Sequence, residues 1–301
     1  MTAFGHGARR FAALPGATRG ALWMVLASVA FGGGFVVIRL LTEHYSVYEV
    51  AFFRSILGTL FLLPWAVRAG RQALRTRRYG AYALYIAAMY GGVLLWFYGL
   101  ANLPTAEATA LYFTTPLFSI IGAAVALGER VGPRRWAATA IGLLGAVVII
   151  RPGVVEITTP VFAVMGTAVL FGIANAAVKA LTRTEPPNAV VLHGLWVMSA
   201  VGLPPALDGW ITPVLAHAPL ILLLGLSGFI GQLCFTRSVQ AAPMSVAMPP
   251  FFLQLPFAAL FAYLAYAEVP GVYVWIGATI ICGSTYYNVL QEARAARAGR
   301  A

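Results

Sequence analysis

The stretch "FGGGFVVIRLLT", residues 31–42, returns later in the chain as "FGIANAAVKALT", residues 171–182. The two copies align without a gap and share a phenylalanine, a glycine, a basic residue and a closing leucine–threonine pair. Glycine weakens a helix interior, so three in succession within so apolar a stretch need a reason. The repeat indicates that the chain consists of two related halves.

Further matches extend the repeat across both halves. Their spacing is shorter by a single position, as a small difference in loop length would produce. The pattern predicts a first repeat over residues 19–152 and a second over 159–290, between tails at 1–18 and 291–301. The matched pairs are Gly92 with Gly231, Pro104 with Pro243, Glu129 with Glu268, and Trp136 with Trp275.

The composition is that of a membrane protein. Of the 301 residues 60% are hydrophobic and 10% are charged, whereas globular domains are about 45–50% apolar and about 25% charged. A spanning helix needs roughly 20 mostly apolar residues, and such runs recur along the whole chain. They predict ten spans, at residues 19–41, 47–66, 79–101, 105–127, 133–150, 159–181, 187–206, 214–237, 243–266 and 271–290.

The positions of the basic residues predict the orientation of the spans. With the N-terminus inside, the inner loops and tails carry 16 of the 20 lysines and arginines, as the positive-inside rule requires. Both termini are therefore expected in the cytoplasm. The net charge of +11 is then an orientation signal, and we expect no nucleic-acid partner.

Five spans in each half have a topological consequence. Because five is odd, the two halves must enter the membrane in opposite directions. The fold class predicted is an all-α integral membrane protein of ten transmembrane helices, arranged as two inverted five-helix repeats around a central cavity. Inverted repeats of this kind provide alternating access to a site near the bilayer midplane.

Several motifs resemble the EamA family of the drug/metabolite transporter superfamily. They are "VYEVAFFRSILGTLFLLP" with Arg54, and "LYFTTPLFSIIGAAVALGERVGPRRW" with Pro116 and Glu129, followed by Gly142. The second half has a copy of the second of these motifs. The arginine of the first motif is not repeated, because the second half has Gly194 where the first half has Arg54. The resemblance covers the whole chain.

The resemblance implies a carrier of small metabolites, often outward and without ATP, in a bacterial inner membrane. Among such proteins, YddG-type aromatic amino-acid exporters are one similar group. Amino acids, including aromatic ones, are accordingly the first cargo expected. We expect a monomer, with a dimer as the alternative, whose partners are its substrate and the lipid bilayer.

The sequence also limits the energy source. There is no phosphate-binding loop motif and only one lysine, Lys179, so ATP hydrolysis of that type is excluded. The carboxylates lie at or near span ends, whereas proton-coupled carriers place an acid within the membrane. We expect passive movement down a gradient, or coupling through His193. The two cysteines lie in apolar runs, which argues against a disulfide framework and a cysteine-based metal site. No cofactor and no metal are expected.

Two kinds of residue are candidates for the substrate site. Polar side chains deep in the spans offer hydrogen bonds, although each also fits a bond between helices. Aromatic side chains offer an apolar pocket, although each also fits a lipid-facing position. The substrate-binding candidates are Ser28, Phe31, Tyr90, Trp96, Tyr98, Tyr112, Asn175, His193 and Gln254.

Other residues are assigned to hinges, packing or structure. The three glycines of the opening stretch either pack against a neighbouring helix or make the first span flexible, and prolines on either side of Gln254 predict an irregular ninth span. Glu129 is expected to cap the following helix or to pair with Arg134 or Arg135. The hinge or packing set is Gly32, Gly33, Gly34, Pro250 and Pro256, and the structural set is Glu129, Glu268, Trp136 and Trp275.

Two other functions stay open at this point. A nucleotide-sugar or sugar-phosphate antiporter of the same superfamily would need basic residues at its site, and Arg39, Arg54 and Lys179 are available. The remote alternative is an intramembrane serine protease, because "GLSG", residues 225–228, contains Ser227 in a protease-like setting. Its histidine would have to be His193.

Overall fold

The computed structural model describes residues 14–70, 75–102, 111–129, 131–150, 158–266, 272–273, 275–277, 279–284 and 287, and the regular elements in these ranges are helices. The first eight are α1 (Gly16–Thr42), α2 (Val47–Ala69), α3 (Tyr79–Asn102), α4 (Thr115–Leu127), α5 (Pro133–Ile150), α6 (Thr159–Leu181), α7 (Pro187–Leu207) and α8 (Ala218–Ala241). The ninth predicted span consists of α9 (Met244–Ala247), a 3-10 segment (Pro249–Leu253) and α10 (Gln254–Tyr266).

Most of the predicted spans match a helix in this structure. Seven helical stretches among the described residues are long and apolar enough to cross a membrane. Two predicted spans lie partly outside the described residues: the fourth is described only from residue 111, and the tenth only in short pieces. The count of ten therefore stays a prediction.

Local sequence signals explain where α2 begins and ends. Ser46 Oγ accepts a hydrogen bond from Glu49 N at 3.2 Å, and Ser46 N donates to Glu49 Oε2 at 2.9 Å. This capping box satisfies two backbone donors that the first turn would leave unpaired. At the other end, Gly70 adopts a φ of 64°, which glycine accepts without steric cost.

The two halves interlock. Helix α1 packs against α8 and α10 of the second half, and α6 packs against α3 and α4 of the first half. Because α6 matches α1 in the sequence repeat, these are equivalent arrangements. Each half therefore contributes its first helix to the bundle formed by the other.

Glycines at matched positions allow both interlocking contacts. A Cβ atom added to Gly231 would lie 2.5 Å from Phe31 Cε1, and one added to Gly92 would lie 2.5 Å from Phe171 Cε1. The two rings are partners in the sequence repeat, and so are the two glycines. A side chain at either glycine would collide with the ring that packs there, so the same close helix contact occurs twice.

The three glycines of the opening stretch pack against neighbouring helices. Helix α1 continues through them without a break. A Cβ on Gly32 would lie 3.0 Å from the Gln254 carbonyl oxygen, one on Gly33 would lie 3.4 Å from the Phe261 ring, and one on Gly34 would lie 3.0 Å from Ser227 Oγ. The glycines therefore let α1 approach both α8 and α10.

The irregular ninth span predicted from its prolines is confirmed. The chain changes from α-helix to 3-10 helix at Pro249 and returns to α-helix at Gln254. Ser28 in α1 donates a hydrogen bond of 3.0 Å to the carbonyl oxygen of Pro250, one of the groups in this segment. Pro256 lies in the first turn of α10, where a missing backbone donor costs little.

Candidate functional site

Arg54 is a charged side chain in the interior of α2. Its guanidinium lies over the Phe31 ring, with 5.9 Å between its central carbon and the ring centroid. Gly228 of α8 makes room for it, because a Cβ there would lie 2.7 Å from Arg54 Nε. The Arg54 side chain is half-buried, and the side chains of Tyr85 and Tyr112 lie within electrostatic range of it. A charged side chain within a membrane span is a candidate functional residue.

No carboxylate neutralises this guanidinium within the part of the chain that the structure describes. Glu49 caps α2 and also accepts a hydrogen bond from the backbone elsewhere. Glu129 pairs with Lys179, and Glu185 accepts hydrogen bonds from hydroxyl groups. Among the described residues, the cation–π contact with Phe31 is the direct interaction that the Arg54 guanidinium makes.

Aromatic side chains from both halves meet beside Arg54. Tyr112, just before α4, lies at their centre: its ring centroid is 4.7 Å from that of Trp96 and 6.1 Å from that of Phe171, whose ring stands perpendicular to it. Phe251 of the ninth span lies 6.4 Å from Tyr112 and 6.2 Å from Phe113. Such rings favour flat apolar partners by stacking and burial.

Tyr112 connects the charge and the rings, because it interacts with Arg54 and contacts Trp96 and Phe171. We call this group the central site. A single guanidinium and several aromatic surfaces from both halves are chemically suited to a small molecule with a flat ring and a polar edge. Its residues are Phe31, Arg54, Tyr85, Trp96, Tyr112 and Phe171.

Two of the polar candidates are engaged in bonds between helices. Ser28 is fully buried and donates to the Pro250 carbonyl oxygen at 3.0 Å. Asn175 is buried and its Nδ2 donates to Ser119 Oγ at 2.9 Å. Both side chains hold neighbouring elements together in this structure.

The other two polar candidates differ from one another. Gln254 is only 1% exposed, and no hydrogen-bond partner is found for its Nε2 atom among the described residues. His193 is half-buried, its Nδ1 lies 2.8 Å from the Ala189 carbonyl oxygen, and its ring centroid lies 4.9 Å from that of Tyr82. His193 thus lies in the N-terminal half of α7 and packs against Tyr82 of α3.

The aromatic candidates are divided between the interior and the surface. Phe31, Trp96 and Tyr112 belong to the central site, and Tyr90 is half-buried on α3. Tyr98 is 46% exposed, so it lies on the surface of the helix bundle rather than in the site. The helical turn explains the difference, because residues 96 and 98 point in directions about 200° apart.

Three residues of the central site lie outside the substrate-binding set predicted from sequence. Phe171 carries a signal, because it matches Phe31 in the repeat. Arg54 is a sequence candidate only for phosphorylated cargo. Tyr85 gives no signal, because it reaches the site through space left by Gly194, where a Cβ would lie 2.7 Å from its ring.

Glu129 has a structural role in which its partners come from the second half. Its Oε1 lies 3.7 Å from Lys179 Nζ, and its Oε2 accepts a hydrogen bond of 2.8 Å from Met244 N. Lys179 also donates to the carbonyl oxygens of Val239 and Ala242. The carboxylate therefore caps α9, a helix distant in sequence, and ties the end of α4 to the second half.

The remaining structural candidates are placed only in part. Trp136 is half-buried and packs against the core, whereas Trp275 is 65% exposed, as a residue facing lipid is. Glu268 lies outside the described residues. Ser227 donates to the Leu224 carbonyl oxygen at 3.0 Å, so its hydroxyl is used within its own helix.

Comparison with known proteins gives consistent results. The model of the EamA-like transporter family matches residues 18–151 and again residues 158–290. A riboflavin transporter of Rhizobium johnstonii is 35% identical over 92% of this chain and 93% of its own. An S-adenosylmethionine uptake transporter of Rickettsia bellii is 28% identical over 91% of this chain and 94% of its own.

Two more distant likenesses complete the comparison. A pseudopaline exporter of Pseudomonas aeruginosa is 27% identical over 87% of this chain and 93% of its own. A crystal structure with 17% identity superposes with a TM-score of 0.77 over 91% of this chain and 97% of that one. At that identity the superposition shows the fold alone.

Proposed function

Because the chain belongs to the EamA-like transporter family, it is a multi-pass membrane transporter of small metabolites and not an enzyme, and we propose that its cargo carries a planar ring system. The central site is the observation that supports this cargo. Its aromatic rings come from both halves, and one guanidinium lies over the Phe31 ring and within electrostatic range of Tyr112. Stacking and burial between them suit a flat molecule with a polar edge better than a flexible aliphatic one.

Riboflavin is the first candidate cargo. The relative with 35% identity over nearly the whole chain is a riboflavin transporter, and the flavin ring is flat, wide and rich in acceptor atoms. Stacking on Tyr112 and Trp96 would bury its ring, while its ribityl chain would need only hydrogen bonds.

Aromatic amino acids are the second candidate. Their rings are small enough to fit beside Tyr112, and their carboxylate is the strongest partner for Arg54. The two candidates share a flat ring and an acceptor edge and differ in charge, so one competition experiment separates them.

Phosphorylated sugars and nucleotide sugars have less support. They would need a second free cation at the site. Lys179 is held by Glu129 and by two backbone carbonyl oxygens, and it lies at the end of α6. Arg39 is exposed near the end of α1, so among the described residues Arg54 is the cation of the central site that would face the phosphate.

We further propose that transport proceeds by alternating access between two inverted halves, both termini being cytoplasmic. The matched contacts of Gly231 with Phe31 and of Gly92 with Phe171 support equivalent packing in both halves. Equivalent contacts let each half adopt the conformation of the other at little cost in free energy. Movement down the cargo gradient is the proposed energy source, with coupling through His193 as the alternative, because the sequence has no phosphate-binding loop motif.

Two sets of polar contacts are suited to closing the inner side in this proposal. Glu185 accepts hydrogen bonds from Thr76, at 2.5 Å, and from Tyr82, which joins the loop before α3 to the loop before α7. The contact of Glu129 with Lys179 joins the ends of α4 and α6. Both sets lie at helix ends that the basic residues assign to the cytoplasm, and both must break for cargo to leave there.

A matching set is suited to closing the outer side. Tyr45 Oη lies 2.9 Å from His217 Nδ1 and accepts a hydrogen bond from Val214 N, and Glu49 Oε1 accepts one from Ile211 N at 2.8 Å. These contacts join the loop before α2 to the segment before α8. They are local and few, so they are able to open without disturbing the core.

Binding of riboflavin tests the proposed cargo directly. Flavin fluorescence falls when the ring stacks on tyrosine or tryptophan, so titration of purified protein in lipid nanodiscs should quench it saturably. Tryptophan should displace the flavin if both use the central site. The Trp96→Ala variant should quench less, and Trp275→Ala, which changes an exposed residue, should quench like wild type. Quenching that neither saturates nor responds to Trp96 would refute the proposed cargo.

A further inference from the structure

We infer that Arg54 binds the cargo through a pair of adjacent, coplanar acceptor atoms, foremost a carboxylate. The inference rests on the proposed function and makes it more specific, because it names the group of the cargo that the site recognises. Three observations on Arg54 support it: its charge, the residues around it, and the glycine at the equivalent position of the second half.

The charge of Arg54 has no counterpart in the described protein. A charged group inside a membrane protein is costly unless another charge or polar group compensates it. The cation–π contact with Phe31, at 5.9 Å, supplies only a weak interaction. Acidic side chains that could supply more, such as Glu49 and Glu129, are used elsewhere. A cargo that carries negative charge or strong acceptors completes the site.

The fold itself does not require this charge. By the sequence repeat, Gly194 of α7 stands where α2 has Arg54. The Tyr85 ring occupies the space beside Gly194, at 2.7 Å from where a Cβ would be. One half thus packs without a cation at the equivalent place, so the arginine of the other half serves something other than packing.

A glycine on the neighbouring helix α8 provides the space that the Arg54 side chain occupies. A Cβ on Gly228 would lie 2.7 Å from Arg54 Nε and 2.8 Å from its Cγ. The glycine lets the stem of the side chain lie against α8, so the guanidinium is held in one direction. The guanidinium lies over the Phe31 ring, and Tyr112 lies within electrostatic range of it, so a cargo ring stacked on Tyr112 would have its edge near the guanidinium.

The chemistry of the guanidinium selects the partner. Its donors lie in one plane and match two acceptor atoms side by side, which a carboxylate provides with full negative charge. The nitrogen and carbonyl oxygen on the dione ring of a flavin provide the same pair without the charge. An amino-acid carboxylate and the edge of the flavin ring thus offer the same pair of acceptors. The two are distinguished by comparing an amino acid with its amide, which lacks the carboxylate.

The first part of the test uses the wild-type protein and does not depend on any variant. Riboflavin bound in nanodiscs is displaced by tryptophan or by tryptophanamide, which has the same ring but no carboxylate. If Arg54 recognises a carboxylate, tryptophan should compete about tenfold to a hundredfold better than the amide. If Arg54 instead binds the acceptor edge of the flavin ring, neither tryptophan nor tryptophanamide should displace riboflavin well, and riboflavin binding itself should depend on Arg54.

The second part uses Arg54→Gln and Arg54→Lys, with Arg68→Gln at the end of α2 as the matched control. Arg54→Gln should lose about tenfold or more of its affinity for whichever cargo the first part selects. Arg54→Lys keeps the charge but lacks the planar pair of donors, so its affinity should lie between those of wild type and Arg54→Gln. Size-exclusion profiles and the melting temperature show whether each variant is folded. Equal affinity of folded Arg54→Gln and wild type for riboflavin and tryptophan overturns the inference alone. If wild type binds neither ring compound, the proposed cargo and the inference both fail.

Discussion

Replacing Gly231 by alanine tests the close contact between α8 and the Phe31 ring. The added Cβ would lie 2.5 Å from Cε1 and 2.6 Å from Cδ1 of that ring. Ordinary contacts of this kind are 3.4–4 Å, so the ring or the helix must move by about 1 Å. The Arg54 guanidinium lies over the same ring, at 5.9 Å, so the movement also disturbs the central site.

The expected magnitude follows from two opposing effects. Overpacking of a close contact costs about 1–3 kcal/mol, and alanine in place of glycine in a helix returns about 0.5–1 kcal/mol. The net loss should lie between about 0 and 2.5 kcal/mol, which corresponds to a fall of up to about 4 °C in melting temperature for a chain of this size, whereas a glycine-to-alanine change without a clash should raise it.

A matched pair of variants makes the measurement specific. Gly92→Ala creates the same clash with Phe171 and should lose a similar amount. Gly202→Ala adds a methyl group where no atom lies within 4 Å, so it should be neutral or slightly stabilising. The assay is the fraction of monodisperse protein that remains after heating in detergent. A Gly231→Ala variant as stable as Gly202→Ala would contradict the packing described for α1 and α8.

Three further predictions concern other parts of the molecule. Gln254→Ala should reduce transport more than Trp275→Ala at equal membrane levels, because the Gln254 amide is buried without a partner among the described residues whereas Trp275 is 65% exposed; equal transport by the Gln254→Ala variant and wild type would remove that residue from the site. Tyr112→Leu should lower riboflavin affinity by about tenfold or more, while Tyr98→Leu, on the bundle surface, should not, and titration of both variants in nanodiscs checks this. Lys179→Met leaves the Glu129 carboxylate without its cation and should cost about 3–5 kcal/mol, so the variant should give little folded protein in a fluorescence-detected size-exclusion profile, a yield like wild type being the opposing result.

Much of the architecture follows from sequence alone. Apolar runs predict the described helices closely, because the length of a spanning helix is fixed by the bilayer. The prolines on either side of Gln254 predict the irregular ninth span, since proline removes a backbone donor and disfavours the helix before it. The repeat is visible because matched glycines are needed wherever two helices approach closely.

The partners of individual side chains cannot be predicted in the same way. The sequence favours neighbours in the chain as partners for Glu129, yet it pairs with Lys179, because α6 packs among the helices of the other half. The side chain of Ser28 is a sequence candidate for cargo, yet it satisfies a carbonyl of the irregular segment. Such choices depend on how the halves interlock, which no single stretch of sequence contains.

The site is predictable by type more than by position. Aromatic side chains are expected to line a cavity; the Trp96 and Tyr112 rings do contact one another, and the Phe31 ring contacts the neighbouring Arg54. Tyr98 lies on the outside because of the direction in which its position on the helix points. Apolar runs show where a helix lies in the sequence but not which of its sides faces the interior.

Counterflow in liposomes tests the central claim most directly. Purified protein is reconstituted, the vesicles are loaded with unlabelled riboflavin, and the entry of labelled riboflavin is followed without ATP and without an ion gradient, with protein-free vesicles as the control. A carrier of planar metabolites should accumulate the label transiently above its external concentration, and Arg54→Gln should abolish this. Labelled tryptophan, tested in the same way, shows whether the second candidate is carried as well. If folded protein accumulates neither compound but exchanges a sugar phosphate, the proposed cargo is wrong.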